Sequence, residues 1–533
     1  MDSRQCSNRD FSIENVDIKD LNTKDLIVKG RLSADNTGSA DKCSDLVEYA
    51  SAGMTDQEPG GTTGQRLLQW MKALDQPRPA GSSAEREAAS YIAKTIRMAG
   101  GEPETESFTI WLCERTAALT VSGSDSKVSV LHIPVRAYDR PVRQSGYSDI
   151  PSDTPVSTEQ ATARRQADAS LGQVATREQL NDPAWNEKSE RLEAAGPLLY
   201  VEDGGIHALP LAKGCIVMLN QAVSSDLYRK LSEAGIAAYL TITGTPIDAG
   251  QDRLPARRRI SRGEERTIPG ATIHCQDASM LIEKMAADEP QKQPQLPGSG
   301  RKTWARLTTE SRIVRKTSQN VCTSVSGKTD RKGYVLLTAH YDSVPEGPGA
   351  YDNLAACSVL VELYRRLRLH PADREVRFVW LGSEEQGLLG SYAYVRRHES
   401  ELGACLADIN IDLAGQAIGS DVIGVTGSDS FASEIRTILE GYGSDAEVRQ
   451  SIWSGDANTF AWKGVPALTY DRDGFGMHTC HDEQRFLSAW ELGREADLIE
   501  AMVRILASRE VSSSEHELPE EMKLELQKLF AEY

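Results

Sequence analysis

The sequence predicts an α/β protein: a mixed, mainly parallel sheet sandwiched by helices, with a second α/β unit inserted into it. Three observations carry this. The runs 334–339, 376–381, 409–413 and 465–470 are short and largely apolar, as strands buried on both faces are. The segments between them place apolar residues three or four apart, the period of a helix. Ahead of them, a separate stretch repeats the same strand–helix alternation.

In chain order, residues 1–58 are polar and rich in Ser, Asp and Asn, with a weak strand-like patch at 26–28, and read as an N-terminal extension. A helix is expected over 64–74. A second follows Ser82, with Glu85 three residues on as in a capping box. Its apolar face is Ala88, Ile92, Ile96 and Ala99, and Gly100-Gly101 stops it. Residues 137–195 are polar and read as an irregular insertion. The runs 197–201, 215–219 and 236–242 predict strands, 224–234 a helix, and Ile273 continues the pattern. Residues 288–302 are linker-like. Further on, Leu360, Leu363, Tyr364 and Leu367 mark a helix that ends before Pro371. Phe431, Ile435, Ile438 and Tyr442 mark another, ended by Gly443, and 490–507 reads as a long helix.

The chain has 533 residues, room for two to four domains of about 150 residues each. Its 60 basic and 78 acidic residues give a net charge of −18. That balance argues against a nucleic acid or an anionic membrane as partner, since phosphate binding needs concentrated positive charge. No run of about 18 apolar residues occurs, so no membrane span is expected. Residues 1–30 lack the apolar stretch of a secretory signal, which points to the cytoplasm, or to a secreted protein whose signal has been removed. The nine cysteines are scattered without a CxxC pair, which argues against a disulfide framework or a thiolate zinc site.

In open α/β sheets, ligands bind beyond the carboxyl ends of the strands. After the first apolar run come His340 and Asp342, then Asp352-Asn353. After the second come Glu384-Glu385, within the third sits Asp412, and after the fourth come His478, His481 and Asp482. Each has an ordinary reading. Asp352-Asn353 could cap a helix, Glu384-Glu385 could be a solvated helix start, and a single histidine is unremarkable. Asp412 is harder to dismiss, because a carboxylate in an apolar run needs a partner or a metal. Together they supply imidazole and carboxylate donors, which suit zinc. His340, Asp352, Glu385, Asp412 and His478 make five, enough for two ions if one carboxylate bridges.

The segments TAHYDSV (338–344), GAYDNLAA (349–356), SEEQGLLGS (383–391), NIDLAG (410–415), GDANTFAWKGVPAL (455–468) and MHTCHDE (477–483) resemble the co-catalytic zinc peptidases typified by bacterial leucyl aminopeptidases and glutamate carboxypeptidases. The resemblance covers about 60–120 and 305–510. It implies a zinc-exopeptidase fold with two Zn2+. His340 and Asp412 would ligate one ion and Glu385 and His478 the other, with Asp352 bridging. Glu384 would be the general base, and Asp342 would hold the His340 imidazole. The family's HTxxD pattern selects His478 over His481. Two departures stand near the site: Ala457 where many relatives have His, and Met477 where many have Tyr.

The resemblance further implies a protease-associated (PA) domain in the insert, with KGCIVMLN and AGIAAYLTI as its marks. The expected organisation is an extension 1–58, a peptidase domain from 59–125 and 300–510, an insert 126–299 with its PA-like core at about 195–290, and an acidic C-terminal tail or helix 511–533. The expected activity is an aminopeptidase on peptide substrates, and a homo-oligomer is admitted. The alternatives are a carboxypeptidase, with Arg472 as the carboxylate-binding residue, a glutaminyl cyclase and a metal-free receptor-like protein. A cysteine hydrolase built on Cys480 is a weaker alternative.

Overall fold

The computed structural model describes residues 61–122, 131–133, 135–137, 189–205, 207–244, 267–287, 303–453, 455–510 and 517–530. The extension 1–58 with its strand-like patch and all of 288–302 lie outside them, as do 138–188 of the polar insertion.

Helix α1 (Thr63–Met71) opens with a capping box in which Thr62 and Gln65 satisfy each other's backbone N–H. Helix α2 (Ser83–Met98) buries Ala88, Ile92 and Ile96, the stripe its sequence predicts. Ser82 caps it by accepting the Glu85 N–H. The Glu85 carboxylate does not close the expected box and turns instead to Gly81, Ser318 and Ser383.

A 19-residue strand, β1 (Glu104–Ser122), leads into the insert. There follow β2 (Leu131–Ile133), β3 (Val135–Ala137), β4 (Ser189–Tyr200), β5 (Ile216–Leu219), α3 (Ser225–Glu233), β6 (Ala238–Thr243), β7 (Gly270–His274) and α4 (Cys275–Ala287). Strands β4, β5, β6 and β7 pair in parallel around a core of Leu198, Ile216, Met218, Leu240 and Ile273. The last residues of the expected irregular insertion thus belong to β4. The 22-residue β8 (Trp304–Val325) then returns along β1 in an unbroken antiparallel ladder from Glu104↔Cys322 to Ser122↔Trp304.

Beyond β8 the chain alternates as predicted: β9 (Tyr334–His340), α5 (Ala355–Leu369), β10 (Glu375–Leu381), α6 (Leu389–Arg397) and β11 (Cys405–Ile411). Then come β12 (Asp421–Thr426), α7 (Asp429–Tyr442), β13 (Glu447–Gln450), α8 (Ala457–Trp462), β14 (Ala467–Arg472), α9 (Ala489–Ser508) and α10 (Glu520–Phe530). The strand order is β13-β12-β14-β11-β9-β10-β8, continuing through β4 into the insert. Strands β14, β11, β9 and β10 run parallel, β8 is antiparallel to β10, and β12 is antiparallel to β14 but parallel to β13.

The alternation of side chains divides two cores. Val335, Leu337, Ala339, Ile409 and Tyr470 pack against α1, α2, α5, α7 and α9. Tyr334, Leu336, Val379 and Ala467 pack against α6, α8 and α10. With both faces covered, the central strands can be apolar throughout, which is why they were legible as unbroken runs. Among the described residues, no helix is long and apolar enough to cross a membrane.

Candidate metal centre

Four parallel strands end at one place. His340 is the last residue of β9 and is 1% exposed. Asp412 follows β11 directly. Its neighbours are held by Asn353, whose amide donates to the Ile411 carbonyl (2.8 Å) and accepts from the Leu413 N–H (3.2 Å). Glu384 and Glu385 start a short turn after β10, entered through Ser383 in the left-handed region (φ 57°). His478 lies in the loop after β14 and is itself left-handed (φ 60°).

Asp352 sits at the centre, with its two oxygens facing opposite ways. His340 Nε2 is 3.1 Å from Oδ1 and 3.3 Å from Asp412 Oδ1. His478 Nε2 is 2.9 Å from Oδ2 and 3.2 Å from Glu385 Oε1. Two groups of candidate ligands result, His340–Asp352–Asp412 and Asp352–Glu385–His478. All five expected metal residues are in them, and His481 is in neither.

The donor set fits zinc. Atoms bound at about 2.0–2.1 Å to a tetrahedral ion stand about 3.3 Å from one another, close to the spacings found here. The charge balance asks for cations as well. Among the described residues, Asp352, Asp412, Asp342 and Glu384 have ion pairs to histidine alone. Burial opposes a charge on His340, yet Glu384, Asp342, Asp352 and Asp412 together hold its pKa well above the usual imidazole range. Burial likewise opposes His478, and Asp352 and Glu385 raise it to about 10. Burial would raise Asp352, but the two histidines draw it down instead. Without metal, protons on the imidazoles neutralise these carboxylates. Bound cations would take the place of those protons.

Asp342 has a wider part than the resemblance implies. His340 Nδ1 is 3.2 Å from the Asp342 main-chain carbonyl and 3.5 Å from its carboxylate. That carboxylate accepts the N–H groups of Glu384 (2.9 Å) and Glu385 (3.2 Å), so it fixes the turn that carries both glutamates. Glu384 Oε2 is 3.9 Å from His340 Nε2. Burial, then Glu385, Asp456 and Asp412, hold its carboxyl well above the carboxylate range against the pull of His340.

Sequence reasoning gave no role to Asp482, whose oxygens accept the N–H groups of Tyr351 (2.5 Å) and Asp352 (3.1 Å). It also missed Asn353 as a brace for Asp412 and Asp456 as a buried carboxyl behind Glu384, pushed up to about 7 first by burial. Arg472, the candidate carboxylate binder, is 7% exposed. Its guanidinium is committed to Asp421 (2.7 Å), Glu491 (3.2 Å) and the Gln416 carbonyl (2.7 Å). In a third acidic group, Asp421–Glu491–Glu495, Asp421 and Glu491 are paired with Arg472 and Arg494.

The α/β sheet with two ligand groups sharing one carboxylate defines a two-metal hydrolase scaffold. Residues 320–503, which hold every one of these groups, match Peptidase family M28. Aminopeptidase YwaD of Bacillus subtilis is 33% identical over 205 residues, 36% of this chain and 45% of that protein. The endoplasmic reticulum metallopeptidase 1 of Rattus norvegicus is 24% identical over 211 residues, 37% of this chain and 23% of that protein. The chain thus spans less than half the length of these curated relatives. Among solved structures, the zinc aminopeptidase BSAP of Bacillus subtilis has the same fold, with TM-score 0.59 and 22% identity, covering 86% of this chain and 98% of that one. So does an aminopeptidase from Aneurinibacillus sp. strain AM-1, at TM-score 0.53, 18% identity and coverages of 89% and 98%.

Proposed function

We propose that the protein is a two-zinc exopeptidase that releases N-terminal residues from peptides. The observation that carries this is Asp352, whose two carboxylate oxygens each face one histidine of a separate ligand group. His340 and Asp412 would hold one Zn2+, and Glu385 and His478 the other. When bound, the ions supply Lewis acidity that activates water and polarises the scissile carbonyl. The protein supplies the proton path. Glu384 accepts the proton of the attacking water and returns it to the leaving amine. Asp342 keeps Glu384 and Glu385 pointing to their separate tasks through their N–H groups.

The preference for the amino end rests on charge. A C-terminal carboxylate is recognised by a free guanidinium or ammonium, and the side chain of Arg472 is already spent on Asp421 and Glu491. Glu384 and Asp412 offer an α-ammonium the negative surroundings it needs. The relatives described as aminopeptidases support the same reading. We also infer that the unit between β4 and α4 is PA-like and shapes access to the site, since none of its described residues is a candidate ligand. We further infer a reducing compartment such as the cytoplasm, since the nine scattered cysteines without a CxxC pair do not make a disulfide framework.

Metal analysis should give two zinc ions per chain, and Asp352→Ala should lose both. Peptides with a free amine and an amidated C-terminus should be shortened, and N-acetylated peptides should not. Cleavage of the acetylated set alone would reverse the assignment, and full zinc content in Asp352→Ala would remove the bridge.

A further inference from the structure

Arg78 is completely buried, at 0% exposure. A buried cation normally faces a carboxylate. Among the described residues, none lies within ion-pair distance of Arg78. Its guanidinium instead donates to five main-chain carbonyls: Tyr341 (2.7 Å) from Nε, Leu74 (3.0 Å), Gln76 (2.9 Å) and Pro348 (2.5 Å) from Nη1, and Gly349 (3.0 Å) from Nη2. Its backbone closes the arrangement. The Arg78 N–H donates to Ser343 Oγ (2.9 Å), and the Arg78 carbonyl accepts the Ser343 N–H (3.2 Å).

Leu74 and Gln76 anchor the guanidinium to its own segment, and the other three acceptors sit at the two ends of one loop. Tyr341 lies between His340 and Asp342, while Pro348 and Gly349 come just before Asp352. The loop is also closely packed. A Cβ on Gly349 (φ 62°) would meet Ser343 Cβ at 2.4 Å, the Asp352 carbonyl at 2.6 Å and Arg78 Nη2 at 3.2 Å. Seven residues after Arg78, Glu85 does the same for the other loop of the site. Its carboxylate accepts Ser383 Oγ–H (2.9 Å), next to Glu384, and is anchored by Ser318 Oγ–H (2.7 Å) and the Gly81 N–H (2.7 Å).

We infer that Arg78 is a positioning residue for the metal centre. It clamps the 341–349 loop at both ends, so that Asp342 and Asp352 are held in register before metal arrives. The inference rests on the two-zinc reading for its consequences in activity, but the clamp itself can be tested without metal. A planar guanidinium reaches five carbonyls at once. An ammonium has three donors from a single point and cannot.

The test compares the parent, Arg78→Lys and Arg78→Ala. Hydrogen exchange on metal-free protein should show 341–353 exchanging at least tenfold faster in both variants, with β9 and α5 unchanged. Zinc affinity, measured against a chelator, should fall by about 10–100-fold, as for other residues that orient ligands. The loss in turnover should appear in kcat, with KM within a few fold. Millimolar guanidinium should restore part of both losses in Arg78→Ala and none in Glu384→Gln. If Arg78→Ala does not fold, Arg78→Lys decides by the same exchange and affinity readings. Unchanged loop exchange and zinc affinity in a folded variant would overturn the clamp. Altered exchange in a protein that binds no zinc and cleaves no peptide would keep the clamp and overturn the two-zinc reading.

Discussion

Glu384→Gln keeps the shape of the side chain and loses its proton acceptor. It should retain two zinc ions and lose on the order of 10²–10⁴-fold in kcat. Near-parental turnover would show that another group is the base. Away from the metals, Glu495 is buried, accepts the Gly415 N–H (3.0 Å) with one oxygen, and has no hydrogen-bond partner for the other among the described residues. Burial, then Glu491 and Asp421, push its carboxyl up to about 8 from 4.5, against the Gly415 N–H and Arg472. The folded protein keeps a proton that the unfolded chain releases. Its contribution to stability is therefore full below about pH 4.5 and is lost as the pH rises to about 8. Glu495→Gln should melt above the parent at pH 8.5, by an amount on the order of 2–4 kcal/mol, and level with it near pH 4.5. Equal shifts at both pH values would refute this. The five candidate ligands were legible in the sequence because each stands within or downstream of an apolar run, in a segment that carries the family resemblance. Arg78, Asn353 and Asp482 were not, because they act on backbone groups of distant segments, and a carbonyl or N–H leaves no mark in the sequence; nor was the part of Glu85, whose partners Ser318 and Ser383 lie more than two hundred residues on.

Among the elements, helices with a clear apolar stripe and strands buried on both faces were readable. Strands β1 and β8 were not. Their side chains are half-exposed along most of their length and rich in Thr, Ser, Arg and Glu, so neither an apolar run nor a clean alternation announces them. What makes them strands is each other. The expected cap at Ser82 was found, but Glu85 was drawn away from it by two buried serines, a tertiary preference that overrides the local motif. Helix α1 offers a test of packing at this level. A Cβ on Gly64 would lie 1.5 Å from the Ala489 carbonyl at the start of α9. Gly64→Ala should force the two helices apart and cost about 1–3 kcal/mol in urea unfolding. Parental stability would mean that α1 is free to shift.

At the scale of the whole molecule, the β1–β8 ladder joins the insert to the sheet that carries the metal centre. The insert core begins near Leu119 and Leu307, above the pair Thr116↔Glu310. Joining Thr116 to Glu310 through an Asn-Gly turn, which suits a two-residue hairpin, should leave a folded protein with both zinc ions and a broader range of accepted peptides. Loss of metal from that folded protein would make the insert part of the centre. The ladder also sets an order of assembly. Its strands lie roughly two hundred residues apart in sequence, a separation at which loop closure is slow. On the ribosome β1 emerges long before β8 and waits without its partner. If the insert folds first, it brings Ser122 and Trp304 side by side, and the rest of the ladder can close from that end like a zip. A destabilised insert would then delay maturation of a catalytic centre to which its described residues give no ligand.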